Sequence, residues 1–221
     1  MQNEQTNILV IGSGLAGAIA ALTAAEEGKE VILITKNTQL LSGNTAWAQG
    51  GIAHFNPQDS HQLFKQDIIN AGHKHNYEPA VDQLVREGPK LIEDLLINKY
   101  KVPFETDTKG HLVFTAEAAH SIDRIVHYKD TTGSMIHNQV LKQVKAHSKI
   151  TTYTNHTAVD LLTYSHHSVE SVDIYKKPSC YGAVVLNNQN QTISMICADK
   201  TILATGGLGQ IYLHTTNPPE S

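Results

Sequence analysis

A glycine-rich turn near the N-terminus has the residue spacing of a phosphate-binding site. Gly12-Ser13-Gly14-Leu15-Ala16-Gly17 has the pattern G-x-G-x-x-G and follows the apolar run Ile8–Ile11. Gly12 permits a tight bend, Gly14 lets the backbone approach a pyrophosphate, and Gly17 lets a helix pack against a sheet. The N-terminus of that helix would offer free N–H groups and a partial positive charge to the phosphates of a dinucleotide.

The elements around this turn read as strand, helix and strand. An alanine-rich helix is predicted over 18–25, a break at Gly28, and a second buried strand over 31–34. This βαβ context separates a dinucleotide-binding turn from an ordinary glycine turn. Lys36 follows the second strand, where NAD-binding folds place a carboxylate that accepts from the ribose. An ordinary NAD site is therefore disfavoured.

Composition narrows the function classes. The formal net charge is −4 and neither sign forms a long block, so neither nucleic acid nor a membrane surface is predicted as a partner. The polar N-terminus lacks the features of a signal peptide, and a cytoplasmic protein is expected.

Cys180 and Cys197 are expected to be reduced thiols because they lack C-x-x-C spacing. His73-x-His75 and His166-His167 have no carboxylate or thiol at a ligand spacing, so no metal site is predicted.

The middle of the chain predicts three amphipathic helices. The first covers 59–71 with Asp59 or Ser60 as cap, and the second begins near Pro79, with Leu84 among its inward residues. Gly88-Pro89 is expected to kink or split that second helix. The third helix covers 134–146. The segment 42–53 is rich in small residues and has neither a helical nor a strand period.

The last third predicts a small antiparallel meander and one further parallel strand. The strand-like runs cover 150–153, 157–164, 169–175, 181–186 and 192–197, and 164–179 is the best candidate for a surface insertion. A separate strand, 200–204, leads into Thr205-Gly206-Gly207. That second glycine turn stands at the carboxyl end of a strand, where open α/β sheets bind ligands.

Four stretches, taken together, carry a family resemblance over nearly the whole chain. They are 44–53, Glu117-Ala118-Ala119-His120-Ser121 through 124–127, Thr131-Thr132-Gly133, and Ala204-Thr205-Gly206-Gly207 through 215–218. The sequence resembles the N-terminal portion of the flavoprotein family that comprises succinate dehydrogenases, fumarate reductases and L-aspartate oxidases, and it is most similar to the last branch.

The resemblance implies an α/β fold: a glutathione-reductase-type, Rossmann-like FAD-binding domain with a parallel sheet and a small antiparallel β-meander. It implies that 1–221 is an incomplete FAD-binding domain, a truncated portion without the capping and C-terminal helical domains. The cofactor would be FAD, and its expected contacts are Gly12, Ser13, Gly14, Leu15, Ala16, Gly17, Lys36, Asn44, Thr45, Ala46, Trp47, Ala48, Gln49, Gly50, Gly51, Ala158, Val159, Ala204, Thr205 and Gly206.

Two positions distinguish branches of the family. Asn44 stands where covalent members carry the histidine that bonds to the flavin, so FAD is expected to be held non-covalently.

Glu117 stands where aspartate oxidases have a carboxylate and dicarboxylate reductases have Gln; an anion there would pair with a substrate ammonium. Without the resemblance, Glu117 would be interpreted as a solvated loop carboxylate. Its usual flank is Arg-Glu-Gly-Gly, and the alanines at 116, 118 and 119 depart from that pattern.

The implied function is FAD-dependent oxidation of L-aspartate to iminoaspartate in NAD (pyridine nucleotide) biosynthesis. Oxygen or fumarate would reoxidise the flavin, and quinolinate synthase is a possible partner. The family's main catalytic arginines and histidines are absent from this chain; of the candidate cations, Arg124 and a few lysines remain, so the chain alone is expected to be inactive. The alternatives are a soluble non-covalent fumarate reductase or succinate dehydrogenase-like protein, a non-catalytic flavin-binding fragment, and an NAD-dependent dehydrogenase.

Overall fold

The computed structural model describes residues 3–219 and divides into two compact units. The first unit comprises the chain up to Trp47 together with the chain from Val140 onward, and the second comprises Ala48–Gln139. The residues that carry the glycine turn lie in the first unit, and Glu117 lies in the second.

Strands and helices are interspersed along both units. In chain order, the strands are β1 (Asn3–Ile11), β2 (Val31–Ile34), β3 (Ile52–Ala53), β4 (Ile125–Val126), β5 (Ile150–Tyr153), β6 (His156–Thr163), β7 (Cys180–Asn187) and β8 (Thr192–Leu203). The α-helices are α1 (Leu15–Glu26), α2 (Asn44–Trp47), α3 (His61–Ala71), α4 (Glu78–Leu91), α5 (Thr132–Ala146) and α6 (Tyr164–His167). A π-helical segment, Ile92–Lys99, continues α4, and 3₁₀ turns cover Ser171–Tyr175 and Gly209–Ile211.

The first unit is built on one six-stranded sheet in the order β5-β2-β1-β8-β7-β6. The strands β5, β2, β1 and β8 run parallel, whereas β8, β7 and β6 form an antiparallel meander. The predicted fold class, with its parallel sheet and its meander, is confirmed. The long strand β8 belongs to both parts and joins them, so the two strands predicted over 192–197 and 200–204 are one.

Helix α1 packs closely on this sheet because most of its buried side chains are small. Ala18, Ala21 and Ala25 are buried, and Leu22 is the one bulky side chain among the buried residues of the helix. Two glycines bring the backbones closer still. A Cβ on Gly17 would lie 1.9 Å from the carbonyl oxygen of Gly12, and a Cβ on Gly12 would lie 2.2 Å from the carbonyl oxygen of Ala204. The start of α1 is thereby held against the carboxyl ends of β1 and β8.

The second unit holds the paired strands β3 and β4, helices α3 and α4, and the π-helical segment. Ser60 caps α3, as predicted, by accepting a hydrogen bond from the backbone N–H of Leu63 at 3.2 Å. Phe64 on α3 packs with Val81 and Val85 on α4 in the core of this unit.

Several predictions of local structure are wrong. Helix α4 is not split at Gly88-Pro89: it continues through Pro89 to Leu91, where the π-helical segment begins. Gly88 has no Cβ to clash with the proline ring. Leu84, predicted to face inward, is 54% exposed. The run 169–175 is a 3₁₀ turn within an exposed excursion rather than a strand, and 42–53, predicted to be irregular, contains α2 and β3.

The packing of α1 predicts the effect of adding one methyl group. We expect Gly17→Ala to lower the free energy of unfolding by about 1–3 kcal/mol, because the new Cβ must displace backbone rather than a flexible side chain. The matched control is Gly207→Ala, since a Cβ there would meet nothing within 4 Å. Urea unfolding followed by circular dichroism measures both, and equal midpoints for the two variants would contradict this account of the packing.

Candidate functional site

The N-terminus of α1 has unused hydrogen-bond donors. Gly14 is its N-cap and supplies no side-chain cap, and no acidic residue stands in the first turn. The N–H of Leu15 donates to Thr45 Oγ1 at 3.2 Å. Within residues 3–219, the amides of Gly14 and Ala16 donate to no other residue. Free amides at the positive end of a helix favour an anion such as a phosphate.

A cavity of about 740 Å³ lies in the first unit and includes this helix N-terminus. Its volume is within the range of cofactor sites. Most of the predicted cofactor contacts line it, namely Gly12, Ser13, Gly14, Leu15, Ala16, Lys36, Asn44, Thr45, Ala158, Val159, Ala204, Thr205 and Gly206. The carboxyl ends of three parallel strands and one side of β6 therefore meet around a single cavity.

The remaining predicted contacts are not among the residues lining this cavity. Gly17 lies behind the turn, where it packs against Gly12. The others are Ala46, Trp47, Ala48, Gln49, Gly50 and Gly51. Conversely, sequence reasoning missed several lining residues. These are Ile11, Ile34, Thr35, Asn37, Ser42, Gly43, His156, Thr157, Asp160, Leu161 and Leu203. The parallel-strand ends among them could have been found from the rule that ligands bind there.

One wall of the cavity is shaped by an irregularity in β6. The register between β6 and β7 shifts between Ala158 and Asp160, and Val159 has no partner on β7. Asn188 braces this wall because its Nδ2 donates to the carbonyl oxygen of Lys36 at 3.2 Å and to Thr157 Oγ1 at 3.0 Å. The shift leaves the backbone around Val159 outside the regular ladder.

Ser13 fixes the opposite loop rather than presenting its hydroxyl to the cavity. Its side chain is buried, and Oγ donates to the carbonyl oxygen of Leu40 at 2.8 Å. In the same loop, Asn37 Nδ2 donates to Ser42 Oγ at 2.8 Å. These bonds hold the segment between β2 and α2 against the glycine turn.

In the second unit, Glu117 lies against Gly50. A Cβ on Gly50 would lie 2.3 Å from Glu117 Oε1, so the missing methyl group makes room for the carboxylate. Gly51 is packed as closely, because its Cβ would lie 2.3 Å from Cγ2 of Ile125 on β4. Glu117 itself is exposed. The two glycines thus bring the backbone at 50–51 next to both Glu117 and β4.

Glu117 begins a tight turn that ends at His120. The N–H of His120 donates to the carbonyl oxygen of Glu117 at 3.2 Å, and Ala119 adopts φ +68°. A positive φ at the third position is typical of a type II turn, where glycine is favoured. The alanine that replaces the family's glycine is therefore accommodated in a strained backbone conformation, and the turn is still formed.

Arg124 anchors this turn from the interior of the second unit. Its side chain is fully buried and pairs with two carboxylates: Nε and Nη2 donate to Asp59 at 2.8 and 3.0 Å, and Nη1 donates to Asp67 at 2.6 Å. Its guanidinium carbon also lies 4.6 Å from the ring centroid of Phe64. The expectation that Arg124 remains as a candidate cation for substrate is wrong, because its charge is neutralised where it stands.

Asp67 also fixes the far end of the turn. Both the backbone N–H and the hydroxyl of Ser121 donate to Asp67 Oδ2 at 2.9 Å. Burial alone would raise the pKa of the Asp67 carboxyl, but the hydrogen bonds from Ser121 and Arg124 outweigh burial and hold this pKa below its usual value. The carboxylate therefore remains ionised and keeps the arginine and the turn together.

Comparison with known proteins identifies the family. The model of the FAD binding domain family matches residues 7–221. The chain belongs to this family. The family's cofactor fits the cavity described above, since the free amides of Gly14 and Ala16 stand where a pyrophosphate requires donors.

Curated relatives of the chain include proteins named L-aspartate oxidase. The chain is 37% identical to L-aspartate oxidase of Halobacterium salinarum over 96% of its own length, and 36% identical to L-aspartate oxidase of Synechocystis sp. over 100%. It covers 40% and 37% of those two proteins. Among solved structures, a variant of E. coli quinol fumarate reductase matches the whole chain with a TM-score of 0.86 and 24% identity, over 36% of that chain. The similarity to this solved structure shows the fold alone.

The two cysteines of the FAD-binding chain, Cys180 and Cys197, are free thiols. Among the residues placed by the structure, no group of three or more His, Cys, Asp and Glu side chains could hold a metal ion. No helix in that part of the chain is long and apolar enough to cross a bilayer.

The ionised state of Asp67 predicts a pH dependence of stability. Because its folded-state pKa is lowered, its contribution is present above the unfolded pKa and is lost as the pH falls below about 4. We expect Asp67→Asn to lower the free energy of unfolding at neutral pH by about 2–3 kcal/mol and to flatten the acid dependence. The control is Asp123→Asn, an exposed aspartate in the same segment. Parallel stability curves for wild type and Asp67→Asn between pH 3 and pH 7 would refute this role.

Proposed function

We propose that the chain is the FAD-binding portion of an L-aspartate oxidase that holds its flavin non-covalently. The observation that carries the proposal is the free helix N-terminus inside the cavity of the first unit. Identity of 34–38% to proteins named L-aspartate oxidase supports the substrate. Asn44 supports non-covalent binding, because an amide cannot form the flavin bond that histidine forms in covalent members.

The residues of the first unit would hold the nucleotide. The amides of Gly14 and Ala16 would donate to the pyrophosphate, and Lys36 would lie beside the nucleotide half of the cofactor. The backbone at Ala158 and Val159 would face the adenine, since the shifted register leaves it outside the ladder. The segment 44–51 would line the flavin ring.

Glu117 would pair with the α-ammonium of L-aspartate. Its carboxylate is exposed, and the space beside Gly50 lets it lie against the segment proposed to line the flavin. A carboxylate pairs with an ammonium more strongly than a neutral amide does. The bound flavin supplies hydride acceptance from the substrate Cα. Oxygen or fumarate would accept the electrons, and quinolinate synthase would use the iminoaspartate in the cytoplasm.

The cations that clamp the substrate carboxylates are proposed to lie outside this chain. The sequence contains two arginines. Arg124 is buried against two aspartates, and Arg86 is exposed and pairs with Glu87 at 3.1 Å. We therefore propose that 1–221 is an incomplete FAD-binding domain and that a capping domain and a helical domain complete the enzyme.

The free helix N-terminus predicts that a substitution at Gly14 weakens FAD binding in a chain that still folds. A Cβ on Gly14 would lie 3.7 Å from Thr45 Oγ1, an ordinary contact, but it would intrude where the pyrophosphate approaches the backbone. We expect Gly14→Ala to weaken FAD binding about tenfold or more, which is about 1.4 kcal/mol, while the free energy of unfolding falls by no more than the cost of alanine at an N-cap, about 1 kcal/mol. Fluorescence titration of FAD measures the affinity, and Gly207→Ala is the control. Wild-type affinity in Gly14→Ala would argue against the proposed phosphate site.

The absence of a free arginine predicts the behaviour of the chain in an assay. We expect the 221-residue chain to bind FAD yet to produce no aspartate-dependent hydrogen peroxide, because a dicarboxylate needs cationic partners. Steady peroxide release on addition of L-aspartate would disprove the proposal that residues 1–221 lack part of the active site. A complete enzyme that reduces fumarate and never oxidises L-aspartate would disprove the proposed substrate.

A further inference from the structure

The turn that carries Glu117 also carries an imidazole with a defined orientation. Glu117 and His120 are the first and fourth residues of the turn, and the N–H of His120 donates to the carbonyl oxygen of Glu117. The ends of such a turn lie within about 7 Å of each other at Cα. One tight turn thus carries both a carboxylate and an imidazole side chain.

The contact with Arg124 determines which nitrogen of His120 can donate. His120 Nδ1 lies 3.0 Å from Arg124 Nη1. A guanidinium has five N–H donors and no acceptor, so Nδ1 must be the acceptor in this pair. The ring proton of this imidazole is therefore on Nε2.

The geometry of Arg124 leaves little freedom for another arrangement. Its side chain is held by Asp59 on one edge and by Asp67 on the other. The ring of His120 also packs beside Phe64, with centroids 6.2 Å apart. Since the guanidinium cannot turn away, the orientation of the imidazole follows from the buried ion pairs.

The Nε2 end of His120 is available for a ligand. His120 is half-buried, and among the residues that the structure places, none accepts a hydrogen bond from Nε2. The charged groups in contact with this cluster are Arg124, Asp59 and Asp67, and their formal charges sum to −1. The imidazole is thus an unpaired donor of defined orientation, three residues along the turn from the Glu117 carboxylate.

We propose that His120 is a specificity-determining residue that donates from Nε2 to the α-carboxylate of an amino acid whose α-ammonium is held by Glu117. The proposal rests on the proposed function, and it adds a second contact to the substrate. An acceptor and a donor on one turn match the zwitterionic end of an amino acid, whereas a dicarboxylate without an ammonium offers nothing to Glu117. Arg124 is the positioning residue of this pair.

Two substitutions of His120 distinguish the role of its Nδ1 from the role of its Nε2. Asparagine places an oxygen at about the position of Nδ1, so His120→Asn can still accept from Arg124 but loses the Nε2 donor. Glutamine reaches about the position of Nε2, so His120→Gln keeps a donor there and loses the acceptor for Arg124. A purely structural role depends on Nδ1 alone, and ligand binding depends on Nε2.

The first measurement is the tautomer of His120 in the FAD-loaded chain. Long-range ¹H–¹⁵N correlation spectra of protein labelled in its histidine rings report which nitrogen carries the proton, and the spectrum of His120→Asn assigns the signal. We expect the proton on Nε2. A proton on Nδ1, or a doubly protonated ring at neutral pH, would overturn the proposal.

The second measurement is the affinity of the complete FAD-loaded enzyme and of its His120 variants for L-aspartate, with succinate as the comparison ligand. We expect His120→Asn to weaken L-aspartate binding about tenfold with an unchanged unfolding midpoint. We expect His120→Gln to keep most of the affinity and to lose stability. Wild-type affinity in His120→Asn, or no detectable binding of L-aspartate by the wild type, would overturn the proposal.

The two measurements also distinguish this proposal from the proposed function. If FAD binds and the complete enzyme oxidises L-aspartate while His120→Asn behaves as wild type, only the role of His120 fails. If the complete enzyme does not oxidise L-aspartate, the proposed function fails whatever the tautomer of His120.

Discussion

The close approach of three backbone segments at Gly12, Gly17 and Ala204 is the constraint on which the proposed nucleotide site depends. The distances at these positions leave no space for a Cβ on either glycine. Because the helix meets the strand ends so closely, its unpaired amides face the cavity at the carboxyl edge of the parallel sheet. The proposed anion site would thus be a consequence of packing, and it would need no charged side chain.

In the second unit, a buried network holds the turn that carries the exposed Glu117 in a defined position. A bidentate ion pair and a third carboxylate oxygen immobilise Arg124, and Asp67 passes that constraint to Ser121. The turn that begins at Glu117 is therefore fixed at its far end. A buried network of this kind adds geometric definition even where its net contribution to stability is small.

Much of the fold followed from local patterns in the sequence. The strand 31–34 was predicted with its observed bounds, and Ser60 was one of two predicted caps. Of the runs assigned to the meander, those over 157–164, 181–186 and 192–197 do form it, whereas 150–153 pairs parallel with β2. Buried apolar runs and capping side chains act locally, which is why they could be predicted. The failures depended on contacts distant in sequence. The run 169–175 has the composition of a strand, but the exposed excursion has no neighbouring strand to pair with it.

In the candidate site, too, local sequence patterns predicted some features, whereas features that depend on distant contacts were not predicted. Residues 12–16 of the glycine turn, Lys36 and Ala158 were predicted as cofactor contacts, and they line one cavity. The burial of Arg124 was not foreseen, because Asp59 and Asp67 lie 65 and 57 residues away from it in sequence. Likewise, the role of Gly50 in accommodating Glu117 depends on a turn whose position no periodicity indicates.

The most direct test of the phosphate site at the start of α1 is hydrogen–deuterium exchange of the 221-residue chain with and without FAD. We expect FAD to slow exchange most strongly in the peptide that contains the amides of Gly14 and Ala16, because those amides then donate to the pyrophosphate. Unchanged exchange in that peptide, under conditions where FAD is bound, would contradict the site.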